Sequence, residues 1–195
     1  MEARERYHHG DLRNALVGTA TRLVEERGSA ALSLREVATR IGVSPSAVYR
    51  HFRDKDALLV AVALDAFAAL HAAFPQTADD AAPGAARVTA ASRAYVAFAL
   101  AHPELYRLML GAHRPRDPAL LAAGLETLAV FRRLLAAMLG ADADDPDVMR
   151  RVVAGWSLVH GYIMLRLEGP LAGLPGVREL DVEELFGALA VPPGA

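Results

Sequence analysis

The chain has 195 residues, no cysteine, and 21 Lys+Arg against 23 Asp+Glu, for a formal net charge of -2. That length suffices for a real core in one or two small domains, and the lack of thiols excludes a disulfide framework or a thiolate metal site. Residues 1–55 carry ten basic and seven acidic side chains and the remainder eleven and sixteen, the asymmetry expected of a nucleic-acid-binding module attached to an acidic body.

Helix-forming alanine and leucine dominate and β-branched runs are short, so an all-α fold of about nine helices is expected. The first helix spans about residues 11–27, with Leu12, Leu16, Ala20, Leu23 and Val24 as its apolar stripe and Gly28 as its stop. Ser33 opens the second, and Glu36 three residues later predicts a reciprocal capping box. Leu34, Val37, Ala38 and Ile41 share its apolar face, and Gly42 ends it. Ser44 then caps a third helix, with Pro45 in its first turn and Val48 as its core anchor. Two helices with so short a link cross steeply, which is the geometry of a helix-turn-helix, and Ala38 supplies the small residue at the crossing.

The outward residues of the third helix suit DNA. Ser46, Ala47 and Arg50 can face a groove, while Tyr49, His51 and Lys55 can reach phosphates, which fix register without reading sequence. The bland alternative is a helical hairpin with a solvated polar face. The phosphate-reaching tail and the basic surplus favour DNA.

Asp54 caps a fourth helix that runs to about residue 74, apolar almost all round and therefore covered by several neighbours. Further helices are expected at about residues 85–101, 103–110, 118–139, 146–167 and 181–190, the last capped by Asp181 with Glu184. The stretches 57–74 and 119–139 approach membrane-span length. The first holds Asp65 and His71, and the second Glu126, Arg132 and Arg133. Charges at such depths are costly in a bilayer, so both read as buried core helices and no membrane partner is expected. The charged N-terminus has no signal-peptide character, which points to the cytoplasm.

Several patterns invite chemistry. The acidic loop at 142–147 suggests calcium, but Val153 occupies the twelfth position from Asp142, where a calcium loop closes with glutamate. Its acids are better read as favouring the positive end of the next helix. His102, His113 and His160 lie on different elements without metal-site spacing, and no cofactor is expected. The arm with Arg4, Arg6, His8 and His9 either touches phosphates or is mere tail. Ser157 and His160 are one turn apart, yet no acid is placed to orient the histidine, so an enzyme is not expected. Trp156 and His160 share a helix face and keep a polar handle amid apolar residues. With Phe98, Tyr106, Met109, Phe131, Met138, Tyr162 and Met164 they are either ordinary core or the wall of a small-molecule pocket.

The run VSPSAVYRHFRDKDALL resembles the signature of TetR-family transcriptional regulators, over residues 10 to about 59. HPELYRLML and WSLVHGYIMLRLEG are similar to the C-terminal domain type marked by a Trp…His-Gly element. The resemblance implies a three-helix DNA-binding domain at residues 1–55, followed by a helical ligand-binding and dimerisation domain at 56–195. It implies that Arg35 contacts bases and that Ser44 belongs to the DNA-facing set. It also implies a homodimer on a double-stranded, palindromic operator, released by a small apolar or aromatic effector. Two-fold symmetry doubles the few contacts of a single helix-turn-helix, and the helix at 118–139 or at 146–167 is the expected interface. Phe67, Leu70, Tyr106, Trp156 and His160 are expected around the effector, with the fourth helix as lever. Two other readings stay open: a structural, nucleoid-type DNA binder with a filled bundle, and an enzyme or carrier built on the C-terminal helices.

Overall fold

The computed structural model describes residues 9–74, 84–111, 115–169 and 180–187. Among them every regular element is helical: α1 (His9–Arg27), α2 (Leu34–Ile41), α3 (Pro45–Tyr49), α4 (Lys55–Ala73), α5 (Gly84–Ala101), α6 (Pro103–Leu110), α7 (Pro118–Leu139), α8 (Pro146–Leu167) and α9 (Val182–Gly187), with a 3-10 turn at Ser29–Ala31. The chain forms two compact units, Met1–Phe67 with His102–Leu121, and Ala68–Ala101 with Ala122–Ala195. The sequence reading divides the chain at residue 55, whereas the first unit takes in α4 up to Phe67 and all of α6. The fourth helix ends one residue earlier than expected, and the expected end of the ninth, like the N-terminal arm and His113, lies outside the described residues.

In the first unit Leu16, Ala20, Leu23 and Val24 of α1 pack into one core with Val37 and Ala38 of α2 and Val48 of α3. Gly42 adopts φ 78°, a left-handed conformation, and its amide and that of Val43 return to the Ala38 carbonyl at 3.0 Å. A side chain there would strain the turn that sets the α2–α3 crossing. Ser44 caps α3 by accepting from the Ala47 amide at 3.3 Å, and Asp54 caps α4 by accepting from Ala57 at 2.8 Å.

The capping box at the start of α2 does not form, which corrects the sequence reading. The Ser33 side chain makes no cap hydrogen bond. Glu36 instead pairs with Arg27 and, at 3.6 Å, with Arg40, which also grips Glu26 at 3.2 Å. Two guanidiniums outcompete one backbone N–H for the Glu36 oxygens, and the four charges tie α1 to α2. At α9 one half of such a box does form, the Asp181 amide donating to Glu184 at 2.9 Å while the Asp181 carboxylate accepts from the Val182 amide at 2.7 Å.

The second unit packs α5, α7, α8 and α9. Ala136, Val148 and Val152 form a buried cluster with Leu128, Phe131 and Leu135. Gly84 opens α5 where a Cβ would lie 2.7 Å from the Met138 Cα, so a glycine is needed for this approach to α7. The acids before α8 cap it as expected, Asp145 accepting from the Asp147 amide at 2.8 Å. Arg93 of α5 holds α9 through Asp181 and, at 3.3 Å, Glu183. The Tyr162 hydroxyl donates to the Leu180 carbonyl at 3.0 Å. Helix α4 is long and apolar enough to cross a membrane by length and composition, with a mean hydropathy of 1.7. Its Leu58, Val62, Ala63 and Leu70 are nevertheless fully buried within the protein.

The caps give a direct comparison. Ser33→Ala should change the free energy of urea unfolding by under about 0.5 kcal/mol, and Ser44→Ala should cost about 1 kcal/mol. Equal losses would mean that Ser33 caps α2 after all.

Candidate nucleic-acid interface and small-molecule cavity

The short helix α3 is fixed from one side. Val48 is fully buried and Phe52, just beyond the helix, is 3% exposed. Arg13 lies over the Phe52 ring, 5.2 Å from its centroid. The opposite side is polar and open: Arg35, Ser44, Ser46 and Arg50 are exposed, Tyr49 is 52% exposed, and Ala47, His51 and Lys55 are intermediate. The Ser44 and Ser46 hydroxyls share a hydrogen bond of 2.9 Å. The Lys55 ammonium donates to the Ala30 carbonyl at 2.7 Å, which steadies it against the 3-10 turn and leaves two further N–H donors.

Charge pairing sorts the arginines of this unit. Arg27 and Arg40 are neutralised within the α1–α2 seam, and Arg53 pairs with Asp54 at 3.0 Å. Arg35 and Arg50 have no ion-pair partner among the described residues. Between residues 35 and 55 the surface therefore presents two guanidiniums without an ion-pair partner, several hydroxyls and a lysine. That chemistry suits base edges and phosphates.

The second unit holds a cavity of about 380 Å³, partly open to solvent, between α5, α7, α8 and α9. Its size lies at the lower end of small-molecule pockets, roughly 300–1,000 Å³. Tyr95, Phe131, Trp156 and Phe186 give it aromatic walls. The Trp156 indole donates to the Tyr95 hydroxyl at 3.0 Å, and the Tyr95 and Phe131 rings meet edge-on at 6.1 Å. His160 stacks on Trp156 at 5.1 Å, and burial lowers its pKa, which favours the neutral imidazole. Ser92 lines the cavity at 4% exposure, and its hydroxyl has no hydrogen-bond partner among the described residues. Arg151 is the charged residue of the lining, and its Nε donates to Asp147 at 2.8 Å. That pairing raises the Arg151 pKa and, together with Arg150, holds the Asp147 carboxyl below its usual value.

Of the large side chains read as core or pocket wall, Phe131, Met138 and Trp156 line this cavity and His160 stacks on Trp156. Leu70, Phe98 and Tyr162 are buried in the second unit but not in the lining. Phe67, Tyr106 and Met109 are core side chains of the first unit. Ser157 donates to the Val153 carbonyl at 2.7 Å rather than to His160. Among the described residues no cluster of His, Asp and Glu could hold a metal ion. The sequence reading missed Ser92, Arg151 and Phe186. Thr89 and Ser92, two hydroxyls nearly one turn apart on α5, were the signal available for the first. Arg151 looked like one more surface charge, and nothing local marked Phe186.

The comparisons with known proteins agree with this architecture. Residues 16–62 match the family model for bacterial regulatory proteins of the tetR family. Residues 88–191 match the model for a tetracyclin repressor-like C-terminal domain. A solved protein of unknown function from Rhodococcus sp. RHA1 is 35% identical over 95% of each chain, with a TM-score of 0.75. A tetR-family transcriptional regulator from Streptomyces coelicolor shares the fold at 23% identity, covering 96% of this chain and 80% of that one, with a TM-score of 0.71. AibR, solved with isovaleryl coenzyme A and operator DNA, shares it at 17% identity over 90% of this chain and 95% of that one, with a TM-score of 0.61. With helix-turn-helix and C-terminal models together spanning most of its length, the chain belongs to the TetR family of transcriptional regulators, DNA-binding proteins rather than enzymes.

Proposed function

We propose that the protein is a cytoplasmic, homodimeric repressor that leaves a palindromic operator when a small, largely apolar ligand fills the cavity of its second unit. The observation that carries this reading is the cavity itself, with the Ser92 side chain in its otherwise largely apolar wall. A structural DNA binder has no need of such a space, so the nucleoid-type alternative is disfavoured. The complex of AibR with isovaleryl coenzyme A and operator DNA gives a precedent within the same fold.

On the DNA side, Arg35 and Arg50 are the base-reading candidates because no carboxylate competes for them. Ser44, Ser46 and Ala47 present small side chains to the groove floor. Tyr49, His51 and Lys55 serve as phosphate anchors. Helix α4 belongs to both units, so ligand binding in the second reaches the first through continuous backbone. The ligand shifts the equilibrium only if it binds the DNA-incompetent state more tightly. A dimer on DNA needs its recognition helices roughly 34–36 Å apart, so a small displacement weakens binding.

Exposed apolar side chains support self-association. Leu121 and Leu125 lie one turn apart on α7 at 56% exposure, and Val153 and Leu165 on α8 are 43% and 46% exposed. Ala154, Ser157 and Gly161 supply small residues on α8, which permit close helix approach. Packing α7 and α8 against their symmetry mates gives the four-helix bundle expected of the interface.

Four outcomes follow, measured with an operator selected from random duplexes. Arg35→Ala should lose about 1–3 kcal/mol on that operator and little on random DNA. Lys55→Ala should weaken both alike and lower the salt slope by about one contact. An equal loss from Arg35→Ala on both, or an unchanged slope for Lys55→Ala, removes the assigned role. Leu125→Glu with Leu165→Glu should yield a folded monomer by analytical ultracentrifugation and abolish tight operator binding. A dimer that persists places the interface elsewhere. Compounds that release the wild-type protein from operator should perturb Trp156 fluorescence and fail to release Ser92→Phe, whose ring fills the cavity. Release that survives this substitution refutes the site.

A further inference from the structure

The cavity has two chemically different ends. Gly84 of α5 approaches Met138 of α7, whereas Tyr95 of α5 meets Phe131 of α7. The two helices therefore run antiparallel along the cavity. The turn after α7 leads straight into α8, so Arg151 sits at the Met138 end and Trp156, bonded to Tyr95, at the Phe131 end. From Arg151 to Val159 along α8 is about 12 Å, at ~1.5 Å per residue. One end is thus cationic, the other is aromatic, and the Ser92 hydroxyl stands in the α5 wall.

Resting on the ligand reading above, we infer that the ligand is a small organic carboxylate, an apolar chain or ring system of about that length whose anionic head is taken by Arg151. Arg151 uses only its Nε on Asp147, and its terminal N–H groups have no hydrogen-bond partner among the described residues. A guanidinium with two parallel donors free is matched to a carboxylate. Among the described residues no acidic side chain lines the cavity to repel the head. Asp147 is the competing anion. It is also bound by Arg150 at 3.3 Å, so it stays paired when Arg151 turns inward. The exchange leaves no charge uncompensated. The Ser92 hydroxyl adds a contact for a keto, hydroxyl or amide group partway along the ligand.

The test uses decanoate, decan-1-ol and decylamine below their aggregation concentrations, read by the fluorescence of Trp156, the sole tryptophan. The wild-type protein should bind decanoate at least roughly tenfold more tightly than decan-1-ol and bind decylamine most weakly. Arg151→Gln should bring decanoate to within about twofold of decan-1-ol while leaving decan-1-ol unchanged, and Asp147→Asn should tighten decanoate alone. Far-UV circular dichroism checks that both variants keep their helix content. Equal affinity for acid and alcohol, or a preference that survives Arg151→Gln, overturns the carboxylate assignment and leaves the cavity as a ligand site. Failure of all three compounds to perturb Trp156 overturns both.

Discussion

A five-residue helix cannot hold itself together in water, because nucleating a turn fixes more dihedrals than one hydrogen bond repays. Helix α3 exists because Val48 is fully buried against α1 and α2 and because Ser44 satisfies its first free amide. Everything proposed for DNA depends on that anchorage. With Val48 inside, the rest of a short helix must face outward, and its polar residues are delivered together. The left-handed turn at Gly42 sets the crossing, and the charges of Glu26, Arg27, Glu36 and Arg40 brace α2 on α1. Each of these exposed pairs contributes little by itself. Their larger consequence is to remove two arginines from the DNA-facing pool, so that the free positive charge of α2 and α3 is concentrated on Arg35 and Arg50.

The second unit solves a different problem. Its walls are apolar enough to collapse, yet aromatic side chains of fixed shape and the tight α5–α7 approach at Gly84 hold a space open between four helices. Helix α9 supplies Phe186 to the wall and is tied down by Arg93 with Asp181 and by Tyr162 with Leu180. The Arg93 pairing lowers the Asp181 carboxyl below its ordinary value, so this tether is present above that ordinary value and is lost as pH falls through the lowered one. His160 runs the same way: burial lowers its pKa, so the folded state resists protonation and acid favours the unfolded chain.

How far local sequence could be trusted is clearest at the two capping boxes. Ser33 with Glu36 and Asp181 with Glu184 carry the same three-residue signature. At α9 the backbone amide finds the glutamate, and at α2 it does not. The difference is Arg27, nine residues before Glu36 in the chain and beside it in space. Likewise, the list of large apolar side chains was readable, but whether each meant core or pocket was not. Tyr106 and Phe98 are equally plausible wall residues on paper, and both are core.

The sequence by itself determined the helices, most of their ends, the helix-turn-helix and the family, because caps, glycines, prolines and helical periodicity act within a few residues. The family signature, too, is a contiguous run. Tertiary structure alone decided that α6 belongs with the DNA-binding unit, which arginines stay unneutralised, and where empty space remains. Charge pairing and cavities depend on which distant side chains meet, and no local pattern records that. Ser92 shows the point: in the sequence it is one small polar residue among many, and in the fold it is part of a cavity wall.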